Sequence, residues 1–357
     1  MDYLILVINP GSTSTKVALY ENEKEKCTAN IEHTARALSS FLSISEQGPF
    51  RKEAIMRFVK SHGVEIQDLS AVVGRGGLLP PVKSGAYQVN QLMVDTLTNN
   101  PVGEHASNLG AIIAYDIARP LEIPAYIYDA VAVDEMEAIA KITGLREIRR
   151  KSLVHTLNMR AAVLKTVEEY GFSFADTNYV VAHLGGGISI GLFAKGKMID
   201  IVSDDEGPMS PERAGRIPAQ EMIRFCSAYQ HDKKTLARKL RGQGGFLSHL
   251  GTNNTLEVEE KIKAGDQEAE MLYRAMAYQV IKGIGELAAA VGGKVKRIIM
   301  TGGIAHSKIL TKWVKEQVEF ICPVEIIPGE NEMEALAWGA LRVLRGQEKA
   351  RNYEGTK

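Results

Sequence analysis

Cysteine is scarce: Cys27, Cys226 and Cys322 are the only ones in 357 residues, and they lie far apart. They form neither a zinc-ligand pattern nor a disulfide framework, so each is expected to be a small buried hydrophobe in a reducing cytoplasm. Net charge is also missing, since 43 Lys plus Arg stand against 43 Asp plus Glu. That balance points away from nucleic acid and from a membrane surface, and leaves room for a local basic pocket. The opening apolar run at 4–8 is too short to span a bilayer and is soon followed by Lys16, so neither a signal peptide nor an anchor is expected. Low-complexity tracts are absent.

What is present is an ordinary globular composition, 45% hydrophobic and 24% charged, on a chain long enough for two domains with full cores. The first pointer to chemistry is a β-forming run, Leu4-Ile5-Leu6-Val7-Ile8, then Asn9-Pro10-Gly11-Ser12-Thr13-Ser14-Thr15-Lys16, then Val17-Ala18-Leu19-Tyr20. This predicts a hairpin whose turn aims amides and hydroxyls at an anion. Glycine clusters follow two later strand-like runs, at Gly185-Gly186-Gly187 and Gly302-Gly303. Three such turns point to a nucleotide gripped along its phosphates.

Between them the chain alternates strands and helices, which argues for α/β domains with helices covering a sheet. Strands are predicted at 69–74, 125–129, 179–184, 295–300 and 324–328, and helices at 106–118, 154–170, 257–290 with a break at Gly265, 309–318 and 334–344. The strand–turn–strand at 179–193 repeats the plan of the opening hairpin, so two domains of one design are expected. The charged run at 146–151 reads as a solvated helix face or linker, or as a basic wall of a cleft, and the polar tail after Gln347 as loose.

Seven pieces in order, VINPGSTSTKVALY at 7–20, VVGRGG at 72–77, GEHASN at 103–108, IYDAVAVDEM at 127–136, VAHLGGGISIG at 181–191, SPERAGRIP at 210–218 and MTGGIAHS at 300–307, resemble the acetate/butyrate (carboxylate) kinase family. That family lies within the acetate and sugar kinase, Hsp70 and actin superfamily, and the resemblance covers nearly the whole chain. It implies an α/β fold of duplicated ribonuclease-H-like (actin-like ATPase) domains, each a mixed, mainly five-stranded sheet with helices, around a central cleft. The first domain is expected at 1–150, completed by 335–357, and the second at 151–334. Also implied are ATP/ADP and Mg2+, and reversible in-line phosphorylation of butyrate or a related short-chain carboxylic acid to the acyl phosphate. The protein is expected to form a homo-oligomer, a dimer or dimer-based assembly.

Phosphoryl transfer needs positioning and charge compensation more than covalent help. Arg75 stands at a strand end among glycines, where its planar fork suits a carboxylate or phosphate, or where it is an exposed turn residue. The resemblance gives it substrate binding and phosphoryl transfer. Arg213 takes the place of the family's catalytic arginine, stabilising the transferring phosphoryl group, while Arg216, standing where the family has aspartate, leaves a choice between the two arginines in which Arg213 is favoured; a surface ion pair of Arg213 with Glu206 or Glu212 is the plainer reading. His183 and His155 match active-site histidines beside the transferred group. His105 matches a third, near the acyl substrate, or caps a helix start. Asp129 matches an aspartate that either orients the carboxylate substrate or holds magnesium, and Glu332 a second magnesium-linked carboxylate, with Glu330 and Glu334 near enough to leave the register open. Their plainer readings are a helix N-cap before Val131 and a solvated acidic helical turn shared with Glu330 and Glu334. Asn9, Ser12 and Ser14 form the first phosphate cradle, and Lys16 holds a phosphate or sits in water. Gly185, Gly186 and Gly187 are expected at the β-phosphate, and Gly302 and Gly303 under the α-phosphate or adenosine. Val82, with Leu79 and Pro81, is the candidate wall of a small acyl pocket.

Two other functions fit parts of the pattern. A sugar or alcohol kinase would use Asp129 as base toward a hydroxyl. A nucleotide-driven, chaperone-like switch would need a peptide-binding module, for which the chain has little spare length. Among acids, one methylene changes discrimination by only ~1–3 kcal/mol, so butyrate, isobutyrate, propionate and valerate are not separated.

Overall fold

The computed structural model describes residues 2–229 and 232–355. Twelve strands occur among the described residues: β1 (Leu4–Pro10), β2 (Ser14–Glu21), β3 (Lys24–Glu32), β4 (Ala71–Arg75), β5 (Ala86–Gln88), β6 (Ala125–Tyr128), β7 (Tyr179–Leu184), β8 (Ile188–Ala194), β9 (Lys197–Val202), β10 (Arg297–Gly302), β11 (Val324–Pro328) and β12 (Arg351–Asn352). The chain forms two units, Met1–Asp134 with Asn331–Lys357, and Glu135–Glu330.

The first sheet runs β12-β5-β6-β4-β1-β2-β3 and the second β11-β10-β7-β8-β9. β1, β2 and β3 make an antiparallel meander, with β4 parallel to β1 and β6 parallel to β4. β7, β8 and β9 repeat the meander, with β10 parallel to β7 and β11 parallel to β10. Five strands thus recur in the same order and direction. β7 and β8, apolar apart from His183 and Ser189, are buried along their whole length, as strands covered on both faces require.

The first sheet departs from five strands because β5 pairs antiparallel with β6 and β12 adds to β5. The tail after Gln347 is therefore docked, not loose. Glu348 accepts from the Tyr128 hydroxyl at 2.8 Å and from Ala86 N at 3.1 Å, and Tyr353 is buried. The changeovers at 134/135 and 330/331 also differ from those expected at 150 and 334. Arg150 accounts for the first: it bonds Asp200 at 2.9 Å and Glu206 at 2.8 Å, which ties the charged run to the second unit. The rest of the run, Arg146 to Arg149 and Lys151, is exposed, so it is solvated apart from the anchored Arg150.

In the second unit Tyr273, Met276, Val280, Ile284 and Leu287 form the buried stripe of the helix Gln267–Ala290, at the spacing of one helical face. Gly265, at φ +89, separates this helix from Thr255–Lys263. The opposite face of the sheet is covered by Thr156–Tyr170 through Met159, Ala162 and Val163. In the first unit Asn108–Ala118 packs on the sheet through Leu109, Ile113 and Ile117. Among the described residues no helix is long and apolar enough to cross a membrane.

Candidate functional site

In the first unit three residues distant in sequence meet. Arg75 ends β4, Asn9 lies near the end of β1, and Glu332 opens the helix Glu332–Leu344. The Arg75 guanidinium donates to Glu332 Oε2 at 3.1 Å and reaches Asn9 Oδ1 at 3.5 Å, while Asn9 Nδ2 donates to the same Glu332 oxygen. Glu332 is buried, unlike a solvated helical turn, whereas Glu330 is mostly exposed and belongs to the second unit. Arg75 is delivered to this place by a backbone crossing that admits no side chain. A Cβ on Gly74 would overlap the Gly110 carbonyl, and one on Gly110 would overlap the Arg75 carbonyl.

Asp129 follows β6 at φ +41, a sparsely populated backbone state for a non-glycine residue. No helix starts at Val131, so Asp129 is not an N-cap. Its buried carboxylate accepts from Gly85 N at 2.7 Å instead. The exposed His105 accepts from Ser107 N at 3.2 Å and so caps the turn before Asn108–Ala118. Val82 and Leu79 lie in the hydrophobic core, Val82 bridged by backbone to Val133. In the hairpin, Lys16 is exposed and stands across from Asn9, Ser12 is exposed and Ser14 half-buried.

Sequence reasoning missed Arg51. The helix Gly48–Ser61 buries it on one face with Ala54, Ile55, Phe58 and Val59, and its guanidinium bonds the carbonyls of the β1–β2 turn. An arginine in phase with an apolar helical stripe was the signal available.

In the second unit the turn Gly185-Gly186-Gly187 joins β7 to β8, the same place in the sheet as the turn between β1 and β2. His183, only 1% exposed, stacks on His155 with ring centroids 4.0 Å apart, and His155 Nδ1 lies 2.9 Å from Ser189 Oγ. Gly302, at φ +92, packs so closely on the Leu184 backbone that a Cβ would overlap it, which sets Gly302-Gly303 beside the end of β7.

Arg213 lies on this same turn: a Cβ on Gly187 would run into its guanidinium. It is ion-paired with Asp204, which is 5% exposed and also holds Arg241 at 2.6 Å. Burial, then Arg241, pulls the Arg213 guanidinium down to about 10. The touching Asp204 carboxylate acts the other way, so the group is cationic at neutral pH. Neither Glu206 nor Glu212 is its ion-pair partner. Arg216 turns away, with Nε on the Glu206 carbonyl at 2.6 Å and Nη2 on Glu286 at 3.0 Å, and is about half exposed. A cavity of about 440 Å³ opens beside Arg213 and Arg241, lined also by Ile217, Met222 and Leu240.

The described residues contain no cluster of three or more His, Cys, Asp or Glu arranged to hold a metal. Magnesium commonly relies on one or two carboxylates together with phosphate oxygens and waters, and the buried Glu332 and Asp129 fit that sparser role.

Two units of one topology, with glycine turns at equivalent strand ends, define the actin-like ATPase fold of the acetate kinases. An acetate kinase structure from Porphyromonas gingivalis superposes with a TM-score of 0.78 at 19% identity, covering 96% of this chain and 100% of that one. A propionate kinase from Francisella tularensis subsp. tularensis SCHU S4 gives 0.73 at 17% identity over 94% of this chain and 98% of its own. A family profile described as the Acetokinase family matches residues 145–333. Butyrate kinase 2 of Clostridium acetobutylicum is 47% identical over 356 residues, 99% of this chain and 100% of that protein. The chain belongs to the acetate/butyrate kinase family.

Proposed function

We propose that the protein catalyses reversible phosphoryl transfer from ATP to butyrate or a related short-chain carboxylic acid, yielding acyl phosphate and ADP. The observation that carries this reading is Arg213, a cation held by Asp204 against the glycine turn of β7–β8. A fixed guanidinium beside this turn, where Gly186 is exposed, compensates charge on equatorial phosphoryl oxygens with no reorganisation during transfer. His183, kept in place by His155, donates to the same group. Arg75, braced by Glu332 and Asn9, presents its remaining N–H groups to the carboxylate. The turns at 11–14, 185–187 and 302–303 bind the nucleotide phosphates through backbone N–H. Mg2+, when bound, neutralises phosphate charge, and Glu332 and Asp129 would hold it, in part through water.

A cytoplasmic location and a homo-oligomeric state belong to the same reading. Three separated free cysteines support the first. The exposed aliphatic side chains of Ile139, Ile142, Leu145 and Ile148 support the second.

The test is an acid-chain-length profile with ATP, magnesium and hydroxylamine, scoring acyl hydroxamate. Butyrate is expected to give product. Absence of product from every C2 to C6 acid at high enzyme concentration would overturn the reading, and ADP release with sugars alone would move the acceptor to a hydroxyl.

A further inference from the structure

The turn between β1 and β2 rests on a buried cation that the proposed chemistry does not use. Arg51 is fully buried, and each of its hydrogen bonds ends on a neutral oxygen. Nη1 donates to Gly11 O and Ser14 O at 2.8 Å each and to Thr15 Oγ1 at 3.1 Å. Nη2 donates to Ser12 O at 3.2 Å and to Gln47 Oε1 at 2.8 Å, and Nε to Gln47 Oε1 at 3.1 Å. Isolating a cation from water without a carboxylate partner is expensive, so the position calls for a reason beyond packing.

Peptide geometry supplies one. In a trans peptide the carbonyl of one residue and the N–H of the next point in opposite directions. With the Gly11 and Ser12 carbonyls drawn inward to Arg51, the N–H groups of Ser12 and Thr13 face outward, and both residues are exposed. Two successive amides on the open side of a turn make an anion cradle, and the guanidinium behind them adds positive potential through a poorly screened interior. The carbonyl oxygens, which would repel a phosphate, are occupied on the far side.

We propose that Arg51 is a positioning residue for polyphosphate binding: from beneath the hairpin it fixes the turn at 11–14 so that the Ser12 and Thr13 amides face the nucleotide's phosphates. This rests on the kinase reading above. Arg51 itself touches no substrate.

The experiment compares wild type with Arg51→Gln and Gln47→Ala in the full chain, after thermal melts establish folding. Calorimetry measures ADP and adenosine separately, and steady-state kinetics give KM for ATP and for butyrate. Arg51→Gln is expected to weaken ADP and raise KM for ATP by about tenfold or more, the scale of lost charged hydrogen bonds. Adenosine affinity and KM for butyrate should stay within about twofold. Gln47→Ala, which loosens Arg51 without removing it, should show the same selectivity at about threefold. Unchanged ADP affinity, or equal weakening of ADP and adenosine, overturns the proposal. Should Arg51→Gln fail to fold, Gln47→Ala decides alone by the same criteria. If wild type phosphorylates no acid yet ADP is selectively weakened, the acceptor reading fails and the role of Arg51 stands.

Discussion

At the scale of single residues, the choice between two arginines of one motif is a question of which way each side chain is held. Arg213 is drawn inward by Asp204, one of the most buried carboxylates of the second unit, and Arg216 outward by Glu286. The two variants should therefore behave oppositely. Arg213→Ala is expected to lower kcat by about 10³-fold or more, the scale for losing a guanidinium that stabilises a transferring phosphoryl group. The fold should survive, because Asp204 retains Arg241 as a partner. Arg216→Ala removes a half-exposed ion pair, so stability should move by less than about 0.5 kcal/mol and turnover by less than about twofold. Hydroxamate rates with circular-dichroism melts separate the cases, and equal losses in both variants would refute the assignment. The motif alone did not separate them because spacing does not record which carboxylates surround a side chain.

At the scale of elements, the β1–β2 hairpin shows how a turn acquires a pH limit. Thr15 Oγ1 receives an N–H from Arg51 and lies 2.8 Å from His33 Nε2, so the buried ring is hydrogen-bonded to the same hydroxyl that Arg51 holds. His33 N also donates to the Thr13 carbonyl, and its ring packs on Phe50. Burial, reinforced by Arg51, holds the His33 pKa below its ordinary 6.5. Above that value the ring is neutral in both the folded and the unfolded chain. As pH falls through it, the unfolded chain takes up the proton first, so stability declines by up to about 1.4 kcal/mol per pH unit and levels off below the folded pKa. Urea denaturation of wild type and His33→Gln from pH 7.5 to 5 checks this. The variant should lose part of the acid sensitivity, and parallel curves would exclude His33. Much of the element pattern was legible in sequence. Apolar periodicity gave the meanders, the break at Gly265 and the late helices, because burial of those runs is local in origin. The docking of the tail was not legible, since Glu348 is a surface-like residue until Tyr128, Ala86 and Arg342 converge on it. The site divides in the same way. Glycine turns, Arg75 and the histidines follow from motif and strand end. Arg51 and Asp204 act through burial, and only tertiary packing decides burial. Val82, proposed as a pocket wall, is packed in the core cluster of the first unit, a placement that its sequence position does not reveal.

At the scale of the molecule, each unit has its own core and its own hairpin turn at the same topological place, yet the two turns are furnished differently. The first is rich in hydroxyls and backed by Arg51. The second is all glycine, with His183 before it and Arg213 upon it. The two turns thus differ in chemistry, and the kinase reading proposed above, which draws on groups of both, predicts a response to nucleotide at each. Hydrogen exchange of the full chain with and without ADP and magnesium reads this directly, because ligand binding raises the free energy of local opening wherever amides are engaged. Slowed exchange is expected at two separate stretches, around 11–15 in the first unit and 183–187 in the second, together with 302–303. A nucleotide held by the second unit alone would protect only the latter two and leave the Ser12 and Thr13 amides exchanging at the rate of the free protein. Arg51→Gln sharpens the reading further: it should abolish the ADP-dependent protection at 11–15 at saturating ADP while leaving that at 183–187 in place, whereas a general loosening of the protein would lower both.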